Sequence, residues 1–344
     1  MKDLRVAVIG ARPRTIGWWQ AREFLKTGAE IVAVFGSTEE SAEHAVHTLK
    51  ETYDQEYKIN PNSFPISELE HKLQEIQPDA VSVCSPTEAH YHHTLTALKA
   101  GAHVLCEKPL HWDLGLSPEE NLRQAEELFS LASKRGLLLT INTQLAALFD
   151  NYIEAYQELR PANAYDTSPT SFIVQMVTAG KGAGIYIPMD ILPHALSLLL
   201  RIDYHGTIEQ DKIEGLVEEK KSFLHFNFNA SGRVIETSIL LEKTSDPLQR
   251  ELSFGFEDLY VTRGENKKDP KSTDTSYYLS DGKLIRINVE DPLAVSIRRF
   301  CDSARYLRGT GHVATTLIPD DEAIANIRLQ TALMNYLTSI YKPS

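Results

Sequence analysis

Along the first part of the chain, short runs of apolar, β-branched residues alternate with stretches whose apolar positions recur every three or four residues. Leu4–Ile9, Ile31–Phe35, Ala80–Cys84, His103–Cys106 and Leu137–Ile141 are near-continuous apolar runs, the pattern of strands covered on both faces. A shorter strand is expected near Phe64–Ile66. Between them, Ile16–Lys26 sets Ile16, Trp19, Phe24 and Leu25 at helical spacing, and Gly28 ends it. Glu39–Lys50 follows Ser37 and Thr38, either of which can cap a helix. Ser67-Glu68-Leu69-Glu70 has the spacing of a capping box for a helix to Ile76. His90–Lys99 is stopped by Gly101, and Ser117-Pro118 opens a long helix to Arg135. Such alternation predicts a parallel, doubly wound sheet.

Near residue 145 the rhythm changes. A helix, Ala147–Leu159, leads into strand-like stretches at Ser171–Thr178, Phe223–Phe228, Val234–Leu241, Leu248–Phe256 and Lys283–Ile287. Turn residues such as Asn229-Ala230-Ser231-Gly232 and Asp281-Gly282 separate them, so antiparallel hairpins are expected. Helices at Pro292–Leu307 and Asp320–Tyr341 close the chain, and polar Arg263–Thr275 reads as a surface loop. Residues 1–145 are therefore read as an α/β domain. Residues 146–344 are read as an α+β domain with an open, mainly antiparallel sheet, its helix 320–341 able to pack back on the first domain.

Composition narrows the setting. At 344 residues the chain exceeds what one core usually fills, which agrees with two domains. With 35 basic and 47 acidic side chains the net charge is −12, which disfavours a nucleic-acid partner. Three cysteines, Cys84, Cys106 and Cys301, cannot build a disulfide framework and suit a reducing compartment. Met1-Lys2-Asp3-Leu4 runs straight into a strand, with no leader pattern, and the apolar run Ala195–Leu200 is too short to span a bilayer. The expectation is a cytoplasmic protein with no membrane partner.

The chemistry begins at Gly10. A glycine directly after the first strand and before a helix is where a Rossmann-type sheet holds a dinucleotide pyrophosphate on helix N–H groups. The loop runs Gly10-Ala11-Arg12-Pro13-Arg14-Thr15-Ile16-Gly17, one glycine short of the usual spacing and longer. Gly10, Arg12, Arg14, Thr15 and Ile16 are the candidate contacts. The second strand ends Val34-Phe35-Gly36-Ser37-Thr38, with glycine where an NAD-selective acid usually stands. Ser37 and Thr38 can donate to a 2′-phosphate, and Arg12 and Arg14 add charge, so NADP is preferred over NAD.

Two segments carry a resemblance. Cys84–Leu110 contains Ser85-Pro86-Thr87, His90, Ala97-Leu98, Gly101, His103-Val104 and Glu107-Lys108-Pro109. Further on, Gly182-Ala183-Gly184 precedes Asp190 and His194. In order and spacing these resemble the Gfo/Idh/MocA family of nicotinamide-dependent oxidoreductases. The resemblance implies hydride transfer between a nicotinamide and a carbonyl or hydroxyl carbon of a small molecule, sugar-like or a ketone or imine. It implies a proton relay of Lys108, Asp190 and His194, and cofactor contacts at Ser85, Pro86, His90, Glu107 and Lys108. It also implies a cis bond before Pro109 and a homo-oligomer formed through the C-terminal sheet. The alternative is a non-catalytic NAD(P)-binding sensor or scaffold of the same fold.

The chain departs from the family pattern at Leu192 and Pro193, and at Asn142-Thr143-Gln144, where an arginine is usual. Because proline is tolerated in a first turn, Asp190 is expected near the start of its helix. Lys181 and Tyr186 border the glycine-rich loop and can face a substrate. His90-Tyr91-His92-His93 lacks further ligands at metal spacing, so no metal is expected.

Overall fold

The computed structural model describes residues 4–159, 169–180, 182–246, 249–257, 259–265, 274–279, 282, 284–288, 290–310 and 320–342. The chain divides into two compact units. One is Met1–Asn142 with Leu293–Ile324, the other Thr143–Pro292 with Ala325–Ser344.

In the first unit, β1 (Arg5–Ile9), β2 (Glu30–Gly36), β3 (Asn62–Pro65), β4 (Ala80–Val83), β5 (His103–Glu107) and β6 (Leu139–Asn142) form a sheet ordered β3-β2-β1-β4-β5-β6. Every pairing among these described strands is parallel. Their apolar runs are buried because helices cover both faces. These are α1 (Ile16–Lys26), α2 (Glu39–Tyr57), α3 (Leu69–Ile76), α4 (His90–Lys99) and α5 (Pro118–Lys134). The strand order reverses between β1 and β4, the switch point outside which doubly wound sheets bind ligands.

Two helix starts differ in kind. At α2, Thr38 accepts from the Ser41 N–H (3.1 Å) and Ser41 Oγ accepts from the Thr38 N–H (3.0 Å), a reciprocal cap. At Ser67–Glu70 the expected box does not form. Ile66–Glu68 is a 3₁₀ turn and α3 starts at Leu69, so Glu70 stands second in the helix, too early to reach back. Helix α2 also outruns its expected end at Lys50. Tyr53 and Tyr57, one turn apart, continue its apolar side, and Tyr53 packs 5.3 Å from Trp18.

The first unit is completed by a late element, α8 (Pro292–Thr310). Leu293, Ile297, Phe300, Cys301 and Ala304 make a helical stripe buried with Leu4, Val6 and Phe24. Phe300 meets Phe24 edge-on at 6.1 Å, and Arg308 pairs with Asp79 at 2.6 Å. Helix α9 (Asp320–Ile340) is divided: residues up to Ile324 belong with the first unit, the remainder with the second.

In the second unit, α6 (Phe149–Leu159) is followed by β7 (Ser171–Ala179), α7 (Tyr186–Leu199), β8 (Thr207–Ile208), β9 (Glu214–Val217), β10 (Lys221–Ala230), β11 (Arg233–Thr244), β12 (Glu251–Phe256), β13 (Leu259–Glu265), β14 (Asp274–Leu279) and β15 (Leu284–Asn288). The described strands make one sheet, ordered β15-β14-β13-β12-β7-β11-β10-β8 with β9 beside β10. Only β7 and β11 pair in parallel. The β10–β11 hairpin turns on Ser231 (φ 49°) and Gly232 (φ 83°), the left-handed pair that matches strand twist. Both ends of the expected loop Arg263–Thr275 are strand instead, Glu265 pairing with Thr275, while 266–273 lie outside the described residues. Local polarity hid that hairpin, because its pairing is decided across the sheet. Tyr152, Phe172, Phe254 and Phe256 stack within 4.5–5.7 Å and anchor the core under the sheet. Among the described residues no helix is long and apolar enough to cross a membrane.

Truncating Phe300 to Ala is expected to destabilise the first unit by about 3–5 kcal/mol, the usual cost of emptying a buried phenyl site. Urea titration followed by fluorescence measures it; a loss under about 1 kcal/mol would show that α8 is not part of that core.

Candidate active site

The C-terminal edge of the parallel sheet is shaped by close backbone approach. Gly10 has φ +84°, its N–H donates to Phe35 O (2.9 Å), and a Cβ there would lie 2.5 Å from Cys84 O. A Cβ on Gly17 would lie 2.5 Å from Gly10 O. Both glycines are therefore required by contact, and together they do the work of the usual glycine triplet. The long loop between them closes on itself: Thr15 Oγ1 donates to Arg12 O (2.6 Å), and Arg14 takes a left-handed φ of 63°. Thr15 precedes α1 without a side-chain cap, so the N–H groups of Ile16, Gly17 and Trp18 are left over at the helix start. A cradle that side chains would fill, lined by N–H donors, fits a pyrophosphate.

At the far end of β2, a Cβ on Gly36 would lie 2.4 Å from Ser41 Oγ and 2.5 Å from Ala42 N. Helix α2 packs so tightly there that no carboxylate can stand at this position. Ser37 and Thr38 are exposed, Thr38 accepting from α2 with its hydroxyl hydrogen uncommitted in that bond. The Arg12 and Arg14 side chains are exposed, and neither guanidinium forms a hydrogen bond or ion pair with described residues. Glu39 and Glu40, which sequence reasoning passed over, also open α2, where they complement its dipole.

Beneath the edge lies a buried polar chain. Glu107 Oε1, at the end of β5, accepts from Gln20 Nε2 of α1 and from Asn142 Nδ2 of β6 (2.5 Å). Ser82 Oγ donates to Gln20 Oε1 (2.6 Å), and Ser296 Oγ of α8 donates to Asn142 Oδ1 (3.0 Å). Burial pushes the Glu107 carboxyl above its ordinary range, opposed chiefly by the Asn142 hydrogen bond. Glu107 thus sits 7 % exposed and is enclosed by protein amides, although the sequence suggested a cofactor contact. Half-buried Lys108 follows it, and the Lys108–Pro109 peptide is cis.

His90 has a comparable supporting position. It is 1 % exposed, with Nδ1 2.8 Å from Pro109 O and Nε2 2.7 Å from Ser85 O. Both ring nitrogens face main-chain carbonyls, so His90 ties the loop after β4 to the turn after Lys108. His93 Nδ1 lies 2.8 Å from Ser85 Oγ and steadies that half-buried serine beside exposed Pro86. Burial lowers the pKa of His90, and brings those of His93 and His111 to about 4. It also raises the thiols of Cys84, Cys106 and Cys301, which agrees with packing roles.

In the second unit, Asp190 and His194 lie four residues apart on α7, hence on one face. Asp190 is not at the helix start: α7 begins a turn earlier at Tyr186, whose ring is exposed, and Pro188 takes the first-turn place. Pro193 is inside the helix and removes the N–H that Met189 O would accept. Gln330 Nε2 of α9 supplies it instead (3.1 Å), and Asn326 Nδ2 donates to Pro193 O (2.9 Å). Both amides are buried, 1 % and 3 % exposed. A proline that reads locally as a helix start is tolerated mid-helix because distant side chains satisfy the carbonyls. Gly184 (φ +59°) leaves room for Tyr341, whose Oη would stand 2.3 Å from an added Cβ. Lys181 lies outside the described residues.

Sequence reasoning missed Lys243. From the end of β11 its Nζ reaches Asp190 Oδ2 at 2.6 Å. It lies 53 residues from its partner and in no motif, so only the sheet brings the pair together. Among the described residues no cluster of three or more His, Cys, Asp or Glu is arranged to hold a metal ion.

Comparison with known proteins adds kinship. Residues 4–143 match the GFO_IDH_MocA model, the oxidoreductase family with an NAD-binding Rossmann fold. Over this region the chain is similar to the Rossmann domain of that family. D-glucoside 3-dehydrogenase of Escherichia coli (strain K12) is 37% identical over 136 residues, 40% of this chain and 33% of that protein. The match thus spans a third of this relative. Two solved structures share the fold across the chain. KijD10, a 3-ketoreductase from Actinomadura kijaniata in complex with NADP, has a TM-score of 0.66 at 20% identity, covering 98% of this chain and 97% of that one. An inositol dehydrogenase homolog from Azotobacter vinelandii with NADH and myo-inositol has a TM-score of 0.69 at 14% identity, covering 98% and 96%. The chain thus has a Rossmann unit that this model matches and a second, sheet-based unit.

The lowered histidine pKa values carry a pH dependence. A histidine held neutral in the fold contributes its full stability above about pH 6.5 and loses it as pH falls toward 4, because the unfolded chain binds the extra proton. The melting temperature is expected to drop as pH goes from 7 to 5, and to drop less steeply in the His93→Gln/His111→Gln double variant. Scanning calorimetry across that range measures both slopes; equal slopes would assign the acid sensitivity elsewhere.

Proposed function

We propose that this protein is an NAD(P)-dependent oxidoreductase that moves a hydride between the nicotinamide and a carbonyl or hydroxyl carbon of a small, sugar-like molecule. The observation that carries the reading is the sheet edge, where the Gly10–Gly17 cradle, the Ser85 loop and Lys108 stand at the ends of β1, β4 and β5. The family of residues 4–143 and the dehydrogenase and reductase names of the relatives support it. NADP is the preferred cofactor: Gly36 has no room for a carboxylate that would repel a 2′-phosphate, and Arg12 and Arg14 stand uncommitted on the neighbouring loop.

The bound nicotinamide supplies the hydride chemistry. The protein's groups handle binding and the proton. Lys108 donates to the substrate oxygen and stabilises negative charge that develops on it. His194 takes the hydroxyl proton in oxidation and returns it in reduction, as an imidazole suits near neutral pH. Asp190, one turn before it on α7, orients the substrate hydroxyl.

Trp18 and Trp19 stand in the first turn of α1, so their fluorescence reports cofactor binding. NADPH is expected to quench it, with NADH needing a several-fold higher concentration; no response to either rejects the reading. On a panel of sugars, polyols and ketones, Lys108→Ala and His194→Ala are each expected to lower kcat about 10²–10⁴-fold, the usual worth of a positioned acid or base. Quenching by NADPH without turnover of any panel member would favour a dinucleotide sensor, and full activity in both variants would reject these roles.

A further inference from the structure

The contacts of Glu107, at the end of β5, are those of an anion. Its carboxyl accepts from Gln20 Nε2 on α1, from Asn142 Nδ2 on β6 (2.5 Å) and from the main-chain N–H of Lys108. Each of these contacts brings a hydrogen to the carboxyl. Hydroxyls at the carbonyl oxygens of the two amides turn their NH₂ groups that way. Ser82 Oγ donates to Gln20 Oε1 (2.6 Å), and Ser296 Oγ donates to Asn142 Oδ1 (3.0 Å). Burial favours the neutral acid, and these donors oppose it by favouring the carboxylate.

A charge buried here is felt beyond its own contacts, because little water lies close enough to screen it. After burial itself, the Glu107 charge is the main influence raising the Cys84 thiol. Cys84 borders the glycine cradle: its carbonyl crowds Gly10, and a Cβ on Gly17 would lie 3.0 Å from Cys84 Cβ. The field of the carboxylate thus reaches the cradle. In the other direction, Glu107 is next in the chain to Lys108, which the oxidoreductase reading sets at the oxygen of the reacting carbon. The nicotinamide of a bound cofactor must meet that carbon, so it comes to this end of the sheet. The ring is neutral when reduced and carries one positive charge when oxidised, and a charge near it tunes its chemistry.

We infer that Glu107 is a fixed counter-charge for the oxidised nicotinamide, so that the site holds NADP⁺ more firmly, relative to NADPH, than it would with an uncharged residue at this position. The inference rests on the oxidoreductase reading above and adds the direction in which the site leans. In reduction, the reacting carbon gains the hydride with its electron pair, its oxygen gains the proton returned by His194, and the ring is left with one positive charge. A buried anion stabilises that product and not the neutral ring that precedes it, which favours transfer toward a substrate carbonyl. Lys108 brings an ammonium to the same end of the sheet and acts in the opposite sense. The Glu107 carboxyl is enclosed by Gln20 and Asn142, so its influence is electrostatic rather than a contact.

Calorimetric titration with NADP⁺ and with NADPH tests this without requiring turnover. The quantity read is the ratio of the two dissociation constants. Glu107→Gln is expected to raise the NADP⁺ Kd about tenfold relative to the NADPH Kd, the size of a charge interaction across several ångströms of protein. Glu107→Asp keeps the charge and loses the fit, so both affinities change while their ratio is expected to stay within about twofold of wild type. Glu107→Leu/Asn142→Leu removes acceptor and donor together, which supplies an uncharged protein even if Glu107→Gln does not fold. Its ratio is expected to rise as well. A ratio unchanged in the uncharged variants, with both affinities weakened equally or not at all, would overturn the inference, and so would a ratio moved as far by Glu107→Asp as by Glu107→Gln. Failure of the wild type to bind either nucleotide would instead overturn the oxidoreductase reading on which it stands.

Discussion

Placing a carboxyl group out of water at the end of β5 is the constraint around which the first unit is arranged. Glu107 can be buried only if donors surround it, and those donors come from elements far apart in the chain: Gln20 on α1 and Asn142 on β6. Each donor is fixed in turn, by Ser82 on β4 and Ser296 on α8. Four parts of the Rossmann layer and one late helix therefore converge on one polar point at Glu107, the residue before Lys108. His90 and His93 extend the arrangement sideways to the Ser85 loop. The result ties the ends of β4, β5 and β6 together through buried polar contacts. Such fully satisfied polar networks hold one geometry because every alternative leaves a buried group unpaired.

The second unit solves a different problem by the same means. Pro193 breaks the hydrogen-bond ladder of α7 between Asp190 and His194, the two side chains whose relation matters most. Buried amides of α9 repair the break at Met189 O and Pro193 O. A mid-helix break that locally would be loose is thereby held by a distant element. Lys243 then fixes the Asp190 carboxylate from the sheet side. Neither α7 nor its proposed site is self-sufficient; both are shaped by residues more than fifty positions away.

Electrostatics divide in the same way. The whole chain is acidic at −12, yet its proposed cofactor is an anion. Attraction must be local, from leftover helix N–H groups and two uncommitted arginines. In the second unit, Lys243 and Asp190 set opposite charges 2.6 Å apart.

The sequence by itself determined the class of fold, because buried parallel strands must be apolar throughout and their crossover helices must be amphipathic. It determined the cofactor loop, since only glycine tolerates the approach of Gly10 to Cys84, and the Lys108 and Asp190/His194 motifs, whose spacing is short enough to be read directly. It left the rest open wherever the deciding partner is remote. That α8 completes the first core, that Pro193 sits inside a helix, that residues flanking 266–273 pair as strands, and that His90 and Glu107 face inward are settled by contacts spanning many residues. Lys243 is the clearest case: as a sequence position it is an ordinary charge at the end of a strand, and only the register of β11 beside β7 brings it to Asp190. Local patterns encode propensity and periodicity, whereas which buried polar group finds which partner is a property of the packed chain alone.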